Sequence, residues 1–440
     1  MIIKPARRLH GRCLLPGDKS ISHRAALIAS LANGASHISN FSTSQDCSAT
    51  LECLAALGIS LERQGNRIKV QGTGRRPLSA PAGPLNCGNS GTTMRLLAGL
   101  IAAQDFPTTL TGDDSLNQRP MKRIIDPLEQ MGVQIISRDG HPPLQLTGSK
   151  RLKPIRYELP VPSAQVKSCL LLAGLQADGR TEIIERNGVT RDHTERMLQW
   201  FGASLEFDRD NDKPERRVCA VIGPASLSSR DVSVPGDFSA AAFFIAAAAL
   251  LEESEIEIEG VGLNPTRTQF LDTLRALGAE IELSSKRNEA NEPVGNIRVC
   301  GSRLRATAEK ELSLTISGQL STAMIDELPL LAVIGSQLPT GLIIRDAREL
   351  RFKETDRLAA VAKNLKAMGA AVEEFDDGLR IVGAARLQGA KLESFGDHRI
   401  AMAFSVAALL ADGESEITGS ECVAVSFPNF FEVLESLVER

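Results

Sequence analysis

The sequence predicts an α/β fold of two domains, with helices in the interior and sheets on the outside. A run of small and apolar residues recurs six times, roughly 75 residues apart, and such a period indicates repeated supersecondary units. A chain of 440 residues is too long for one ordinary core and suits two domains of about 200 residues each. The six runs are Ser20–Leu31, Gly91–Ala103, Ser163–Leu175, Ser239–Leu251, Ser321–Ile334 and His398–Leu410.

The first helix predicted in each repeat is nearly uncharged. Residues Ser239–Ala246 are apolar on every face, which is typical of a helix that is buried on all sides. Strand-like segments such as Arg67–Gln71 alternate in polarity, which indicates strands that are half exposed. This arrangement is the reverse of most α/β proteins.

A second, charged helix follows in the repeats, as in Arg119–Met131 and Arg267–Leu277. In five repeats it ends in an apolar residue, then glycine, then an alternating segment, which predicts a left-handed helix cap and a hairpin. The sixth helix is followed by no hairpin, so we expect Met1–Leu15 to supply the missing strands and tie the chain ends together. The five glycines are Gly58, Gly132, Gly202, Gly278 and Gly369.

Two similar Pro-Gly-Asp segments, Pro16–Ser20 and Pro235–Ser239, stand half a chain length apart. They predict paired crossovers between two domains of three repeats each. We therefore expect residues 18–237 to form one domain, and residues 1–17 and 238–440 to form the other. The alternative interpretation is two ordinary turns before capped helices.

Composition excludes several classes of protein. Hydrophobic residues make up 42% of the chain and charged residues 24%, as in a soluble globular protein. The net charge of −4 argues against general nucleic-acid binding, and one Trp and one Tyr make a base-stacking surface unexpected. The most apolar run, Phe238–Leu251, is too short to cross a membrane. Met1–Arg12 lacks the apolar core of a signal peptide.

The eight cysteines form no CxxC pair, and the six histidines do not approach metal-ligand spacing. We therefore expect a cytoplasmic enzyme with no structural metal, no cofactor and no disulfide. Nucleic acid and membrane are not expected partners.

The segment Gly17–Arg24 places two cations and two hydroxyl groups at a helix start. It does not fit a nucleotide P-loop, because Asp18 separates Gly17 from Lys19. A cation at a helix N-terminus is unfavourable, so we expect an anion to compensate Lys19 and Arg24. The alternative is a solvated basic turn.

Two further segments are rich in hydrogen-bond donors. Asn86–Arg95 contains two glycines that allow backbone N–H groups to approach a phosphate or carboxylate. Arg119 precedes a helix, and arginine can bind either anion with two parallel hydrogen bonds. Taken alone, each has a simpler interpretation: the first as a capped helix start and the second as a surface arginine.

The segment Leu350–Arg357 is dense in charge, and its simplest interpretation is a solvated helix entry with weak local ion pairs. However, Asp326 and Arg399 stand at corresponding places in the neighbouring repeats. If the repeats converge, these segments supply carboxylates for proton transfer and cations for a polyanion.

In this order, the motifs resemble the 5-enolpyruvylshikimate-3-phosphate synthase family over essentially the whole chain. The resemblance implies a two-domain inside-out α/β barrel, in which each domain has three βαβαββ repeats with buried parallel helices and outer sheets. It also implies an active site in the interdomain cleft, with the first domain binding mainly shikimate 3-phosphate and the second carrying Asp326, Glu354 and Arg399. The matching segments are Leu15–Ser20 with Arg24, Gly88–Thr92, Arg119–Pro120, Ser163–Gln165, Lys353–Arg357 and Asp397–Arg399.

The resemblance implies transfer of the enolpyruvyl group of phosphoenolpyruvate to the 5-hydroxyl of shikimate 3-phosphate, with release of phosphate. This is a step of the shikimate pathway to chorismate and the aromatic amino acids. The residues expected to bind shikimate 3-phosphate are Lys19, Ser20, Arg24, Ser163, Ala164, Gln165, Arg191, Asp326 and Lys353. Those expected to bind phosphoenolpyruvate are Lys19, Gly91, Arg119, Gln165, Arg357 and Arg399.

Our catalytic hypothesis gives Glu354 the protonation of the methylene carbon and Asp326 the removal of the hydroxyl proton, with Lys19 as a helper or rival base. The chain departs from the family at Val425, where a lysine is often found, and at Arg191, where a tyrosine is often found. Gly91 predicts inhibition by glyphosate at the phosphoenolpyruvate site. We also expect a monomer that closes when shikimate 3-phosphate binds.

Three other functions remain as alternatives. UDP-N-acetylglucosamine enolpyruvyl transferases usually have Asn after the first lysine and Cys in the loop before Arg-Pro, whereas Ser20 and Asp113–Asn117 stand here. An RNA-processing cyclase of related architecture would need a nucleotide site, which the Gly17–Arg24 segment does not supply. A non-catalytic phosphometabolite-binding protein would share the cations but leave Asp326 and Glu354 without a role.

Overall fold

The computed structural model describes residues 1–186, 189–209, 216–304 and 314–440. The chain divides into two compact units. Unit 1 consists of Met1–Pro16, Gly236–Arg287 and Pro293–Arg440, and unit 2 consists of Gly17–Pro235 and Asn288–Glu292. Among the described residues, no helix combines the length and the apolar character that crossing a membrane requires.

Helices α1 to α7 belong to unit 2 and helices α8 to α14 to unit 1, with short 3₁₀ helices at Arg348–Phe352 and Ser420–Val425. The α-helices are α1 Lys19–Leu31, α2 Gln45–Ala56, α3 Gly91–Ile101, α4 Asp114–Asn117, α5 Lys122–Gln130, α6 Ala164–Gly174, α7 His193–Trp200, α8 Phe238–Leu250, α9 Gln269–Ala276, α10 Gln319–Ala323, α11 Leu328–Gln337, α12 Arg357–Ala367, α13 His398–Leu409 and α14 Phe430–Leu437.

The strands of the described residues are β1 Ile2–Ile3, β2 Arg8–Leu14, β3 Ala32–Ser39, β4 Ser60–Gln64, β5 Arg67–Thr73, β6 Leu85–Asn86, β7 Pro107–Thr111, β8 Gln134–Arg138, β9 His141–Thr147, β10 Arg156–Glu158, β11 Gly179–Glu185, β12 Leu205–Arg209, β13 Arg217–Gly223, β14 Leu227–Ser228, β15 Val232–Ser233, β16 Glu255–Gly262, β17 Glu280–Glu289, β18 Glu292–Cys300, β19 Leu314–Ile316, β20 Leu342–Ile344, β21 Val372–Phe375, β22 Gly378–Ile381, β23 Lys391–Glu393, β24 Ser415–Thr418 and β25 Val438–Glu439.

The repeated unit is a βαβαββ arrangement, seen clearly in β6-α3-β7-α5-β8-β9. Strand β6 pairs parallel with β7, β7 pairs antiparallel with β9, and β8 completes a hairpin with β9. The sheet order is therefore β6-β7-β9-β8, and the same order recurs as β10-β11-β13-β12 and β19-β20-β22-β21. The fold is the predicted two-domain inside-out α/β fold.

Each unit has its own core, built on one largely apolar helix from each repeat. In unit 2, α3 packs against α1 and α6, and in unit 1 α8, α11 and α13 pack against one another. Every residue from Phe238 to Ala249 in α8 is buried, as its uniform apolar sequence predicts. The strands carry the alternating burial expected of outer sheets; in β5, Ile68 and Val70 are buried whereas Arg67 and Gln71 are exposed.

The five predicted helix-ending glycines are confirmed. Each follows the last turn of a charged helix and has a positive φ between 86° and 99°. At Gly58, where φ is 86°, this conformation is inexpensive only for glycine, and the chain then enters the strand of the predicted hairpin.

The two ends of the chain are joined in unit 1, as predicted. Strand β1 pairs antiparallel with β24, and β2 pairs antiparallel with β25, which places Arg8 opposite Glu439. The amino group of Met1 also donates to the carbonyl oxygen of Ile417 at 2.9 Å.

The fifth predicted helix, Ser321–Ile334, is wrong in extent. The structure has two helices there, α10 and α11, with Met324–Glu327 between them. Pro329 lies in the first turn of α11, where its missing N–H costs nothing; inside a continuous helix it would remove a backbone hydrogen bond. The break places Asp326 two residues before the start of α11, next to its N-cap residue Glu327.

Candidate active site

The three inner helices of unit 2 begin with side-chain caps. Asp18 accepts a hydrogen bond from the Ile21 N–H at the start of α1, and Ser90 and Ser163 do the same for α3 and α6. A cap satisfies one of the N–H groups that a helix start leaves unpaired, and the helix dipole there favours anions. The predicted residues Lys19, Gly91 and Ala164 are the first residues of these helices.

Lys19 is partly neutralised within unit 2. Its Nζ lies 2.9 Å from Oδ2 of Asp46, which stands in the first turn of α2 and is 7% exposed. This carboxylate is an anion of the kind expected to compensate the cation at the start of α1. The negative charge of Asp46 is itself stabilised by the dipole of α2, because Asp46 lies near the start of that helix.

Arg24 is buried, and its hydrogen-bond partners are neutral. Its Nε donates to Oγ1 of Thr194 at 2.7 Å, Nη2 to Oγ of Ser168 at 2.8 Å and Nη1 to the carbonyl oxygen of Ser20 at 2.8 Å. Burial lowers the pKa of Arg24 to about 10; the charges of Glu195, Asp18 and Glu292 oppose this shift, and that of Arg191 adds to it. Arg24 is therefore still a cation at neutral pH, held in a place that disfavours its charge.

The pKa of the neighbouring His23 is also affected by the positive charges of this region. Burial lowers its pKa well below the usual range, and the charges of Lys19 and Arg24 lower it further. The imidazole is therefore neutral, with Nδ1 at 2.7 Å from Oγ1 of Thr50. Burial disfavours a charge of either sign, but the part of the shift that comes from Lys19 and Arg24 reflects a positive field that favours an anion.

A second cluster of unit 2 surrounds Gly91. A Cβ atom placed on Gly91 would lie 2.7 Å from Nη1 of Arg95 and 3.6 Å from Nη1 of Arg119. Arg95 donates to Oε1 of Gln165 at 2.6 Å, and Arg119 donates to Oδ1 of Asn89 at 2.7 Å. The structure therefore brings together Gly91, Arg119 and Gln165, which were predicted from separate motifs.

In unit 1, the predicted cation Arg357 lies among three carboxylates. Its Nε is 2.7 Å from Oδ2 of Asp397, its Nη2 is 2.6 Å from Oε2 of Glu354, and its Nη1 is 3.6 Å from Oδ1 of Asp326. Burial alone would lower the pKa of Arg357, but the charges of Asp397, Glu354 and Asp326 outweigh it and raise the pKa.

Asp397 links this cluster to Arg399. It caps α13 by accepting from the Arg399 N–H at 2.8 Å, while its two oxygens also accept from Arg357. The Arg399 side chain donates to the carbonyl oxygen of Asp326 at 3.0 Å and lies 3.5 Å from its Oδ2. Arg357, Arg399 and Asp326 are thus held in one group by a carboxylate that is fully buried.

Glu327 extends the group away from the predicted residues. Its Oε1 accepts from Oγ of Ser239 at 2.6 Å and lies 3.8 Å from Nη1 of Arg399. Ser239 in turn accepts from Nη2 of Arg267. This chain of contacts ties the side chain of Arg399 to the start of α8.

Lys353 and Val425, by contrast, lie outside these direct contacts. Lys353 pairs with Glu349 at 3.1 Å, one helical turn earlier, and is partly exposed. Val425 ends the 3₁₀ helix Ser420–Val425 and supplies no cation.

Sequence reasoning missed four residues that hold the predicted ones: Asp46, Arg95, Glu327 and Asp397. Asp397 was noticed only as part of a motif, and Arg95 only as the end of a donor-rich segment. No local pattern pointed to Asp46, because its partner Lys19 lies 27 residues away in the chain. Among the described residues, no group of three or more His, Cys, Asp or Glu side chains could hold a metal ion.

Residues 3–434 match the sequence family described as EPSP synthase (3-phosphoshikimate 1-carboxyvinyltransferase). Relatives named 3-phosphoshikimate 1-carboxyvinyltransferase include those of Koribacter versatilis, 48% identical over 100% of this chain and 99% of the relative, and Solibacter usitatus, 48% identical over 99% of each.

Solved structures agree. EPSP synthase from Acinetobacter baumannii is 38% identical, has a TM-score of 0.85, and is matched over 99% of this chain and 98% of that chain. The enolpyruvyl transferase NikO from Streptomyces tendae, with 21% identity and a TM-score of 0.78 over 99% of this chain and 96% of that one, shares the fold. The chain therefore belongs to the EPSP synthase (3-phosphoshikimate 1-carboxyvinyltransferase) family.

Proposed function

We infer that this chain transfers the enolpyruvyl group of phosphoenolpyruvate to the 5-hydroxyl of shikimate 3-phosphate and releases phosphate. The observation that carries the inference is the family match over residues 3–434. This range contains every motif of the charged clusters described in unit 2 and in unit 1. The reaction brings two phosphates and two carboxylates together, so it needs fixed cations and helix N-termini. It is a step of the shikimate pathway to the aromatic amino acids.

Shikimate 3-phosphate is assigned to the Arg24 region of unit 2. Arg24 supports this because its hydrogen bonds go to neutral groups, which orient the guanidinium without cancelling its charge. The assigned residues are Lys19, Ser20, Arg24, Ser163, Ala164, Gln165 and Arg191 from unit 2, with Asp326 and Lys353 from unit 1.

Phosphoenolpyruvate is assigned to the Gly91 cluster and to the two arginines of unit 1. Two guanidinium groups close to Gly91 support the first part, since arginine suits both ends of a phosphorylated carboxylate. The assigned residues are Lys19, Gly91, Arg119, Gln165, Arg357 and Arg399.

The chemical steps need an acid and a base. We assign protonation of the phosphoenolpyruvate methylene carbon to Glu354, which Arg357 holds at 2.6 Å. Asp326, with Arg357 and Arg399 on either side, is assigned to remove the hydroxyl proton, and Lys19 is the helper or rival base. A tetrahedral ketal phosphate then forms. Phosphate leaves as the new methyl group gives its proton back to the protein, which restores the enol double bond.

The test is phosphate release by the purified protein, given phosphoenolpyruvate and either shikimate 3-phosphate or UDP-N-acetylglucosamine. We expect phosphate release when the acceptor is shikimate 3-phosphate and none when it is UDP-N-acetylglucosamine. Release only with the UDP-sugar would favour the other enolpyruvyl transferase, and binding without release would favour a phosphometabolite-binding protein. The expected closure on shikimate 3-phosphate stays a prediction, and small-angle scattering with and without that ligand tests it.

Glyphosate is proposed to compete with phosphoenolpyruvate. Support comes from Gly91, because any side chain there would meet Arg95 and crowd the same cluster. We expect inhibition that rising phosphoenolpyruvate relieves. A dose–response curve that stays flat into the millimolar range would contradict this.

The proposed setting is a monomer in the cytoplasm. All eight cysteines lie in described residues and are free thiols, which suits a reducing compartment. Sedimentation at several concentrations checks the monomer.

A further inference from the structure

Arg95 connects three segments of unit 2. It lies on α3, one turn after Gly91. Its Nη1 donates to Oε1 of Gln165 at 2.6 Å at the start of α6, and its Nη2 lies 3.5 Å from the carbonyl oxygen of Pro120, just before α5. Gln165 and Gly91 are assigned to the substrates, whereas Arg95 was not predicted to have any role.

The contact with Arg95 fixes the orientation of the Gln165 side-chain amide. A guanidinium group has only donors, so the atom of Gln165 that faces it must be the carbonyl oxygen Oε1. The amide nitrogen Nε2 then faces the other way and donates to Oγ1 of Thr92 at 2.9 Å. Nε2 carries a second hydrogen, which remains for a further acceptor.

The same guanidinium group occupies the space next to Gly91. A Cβ atom at Gly91 would approach Nη1 of Arg95 to 2.7 Å, a distance that real Cβ atoms do not adopt, whereas it would stay 3.6 Å from Arg119. A methyl group at this position must therefore move the Arg95 side chain first. Nη1 of Arg95 is also the atom that holds Gln165.

We propose that Arg95 is a positioning residue that turns the N–H edge of the Gln165 amide toward the anionic substrates, and that side-chain size at residue 91 acts on the reaction through it. This inference rests on the proposed function. With the amide reversed, the carbonyl oxygen would face phosphate or carboxylate oxygens and repel them. Arg95 therefore helps both substrates that Gln165 is assigned to bind.

The test is a double-mutant cycle on kcat/KM with Arg95→Met, Gln165→Ala and the double variant. Loss of one charge-assisted hydrogen bond predicts a decrease of roughly ten- to a hundred-fold for Arg95→Met. Because Arg95 acts through Gln165, the double variant should be no worse than Gln165→Ala alone. Decreases that multiply in the double variant would overturn the inference.

Two variants keep the test independent of folding defects. Arg95→Lys retains a donor for Oε1 and should keep more activity than Arg95→Met; an equal loss contradicts the inference. Gln165→Glu keeps a partner for Arg95 but removes the N–H edge, so its kcat/KM should fall at least as far as that of Arg95→Met. Normal activity of Gln165→Glu would also overturn the inference.

The effect of residue 91 is measured with Gly91→Ala in the wild-type and Arg95→Met backgrounds. The added methyl should cost less in the second background, because the atom it displaces is gone. An equal cost in both backgrounds overturns this part. Arg138→Met, on an exposed residue of β8, is the matched control and should leave kcat/KM and the thermal midpoint unchanged.

The outcomes separate the two levels of the proposal. If the wild-type protein releases phosphate from the two substrates but the variants behave additively, only the role of Arg95 fails. If the wild-type protein releases none, the proposed function itself fails.

Discussion

Two buried arginines, Arg24 in unit 2 and Arg357 in unit 1, differ in their hydrogen-bond partners. They are 3% and 1% exposed. Arg24 donates to two hydroxyl groups and a carbonyl oxygen, and burial lowers its pKa; Arg357 donates to Asp397 and Glu354, and those carboxylates raise its pKa. Neutral partners orient a cation and leave its charge for a ligand, whereas carboxylates neutralise it and use it to hold one another in place.

The two arginines indicate different roles for their surroundings in unit 2 and in unit 1. Around Arg24 the protein stores an unfavourable charge that an anionic substrate can relieve. Around Arg357 it assembles three carboxylates, which would repel one another without the cation and two of which we propose for proton transfer. Variants of the two arginines should therefore fail in different ways.

The largest effect is expected for Arg357→Met. Removing this cation leaves Asp397, which is 0% exposed, as a buried charge without its main partner, and such losses cost about 3–5 kcal/mol of unfolding free energy. Urea unfolding measures this, with Arg386→Met as the matched control. A cost below about 1 kcal/mol would show that the carboxylates do not depend on Arg357.

The next largest effect is expected for Glu354→Gln. The amide keeps the size of the side chain and can still accept from Arg357, but it cannot deliver a proton, so turnover should fall by a factor of about 10² or more. Thermal unfolding should change little. The control is Glu373→Gln, an exposed glutamate of β21, and near-normal turnover of Glu354→Gln would remove Glu354 from its assigned role.

Arg24→Met should weaken shikimate 3-phosphate binding by roughly ten- to a hundred-fold while changing the unfolding free energy by only about 1 kcal/mol. The two changes differ because the partners of Arg24 are neutral and the buried charge is itself unfavourable. Calorimetric titration measures the affinity. A stability loss as large as that of Arg357→Met would abolish the distinction between the two arginines.

The pKa of Arg24 gives a pH-dependent version of the same prediction. Its pKa is lowered to about 10 in the folded protein, so the unfolded chain binds this proton more tightly. The destabilisation by this buried charge is therefore complete below pH 10, and the unfolding free energy should rise as the pH increases above about 10.

A bound anion should raise this pKa again, so binding of shikimate 3-phosphate near pH 10 should take up a proton, whereas binding at pH 8 should not. Calorimetry in two buffers of different ionisation enthalpy measures the uptake. Lys19→Met controls for the amino group of the neighbouring lysine. Uptake that persists in Arg24→Met would assign the proton elsewhere.

The smallest effect is expected for Arg386→Met. Arg386 also pairs with a carboxylate, Asp412 at 2.7 Å, but its side chain is 84% exposed. Exposed ion pairs contribute about 0–1 kcal/mol, so the urea midpoint should barely move. A loss comparable to that of Arg357→Met would mean that burial is not what separates these arginines.

Much of the fold could be predicted from local patterns in the sequence. Gly58 and Gly132 mark helix ends because their backbone conformation is expensive for other residues. The uncharged α8 indicates its own burial. The prediction of the fifth helix was wrong in extent because the small and apolar residues continue through Ala323 and Met324. Only Pro329 indicates where α11 starts.

The site was predicted in part. Lys19 and Arg119 stand in motifs whose donors point to an anion, and family resemblance supplied the roles of Asp326 and Glu354. Asp46 and Asp397 were missed because their importance comes from a partner 27 or 40 residues away, to which no local pattern points. Long-range pairing of charges is a property of the folded chain.

The pairing of the chain ends affects the order in which the protein can be made. Unit 2 is nearly continuous, since only Asn288–Glu292 comes from beyond Pro235, so most of it has left the ribosome when half of the chain has been synthesised. Unit 1 needs Met1–Pro16 together with later segments, because β1 pairs with β24 and β2 pairs with both β16 and β25. Strand β2 can therefore pair once β16 has been synthesised, whereas β1 must wait for β24.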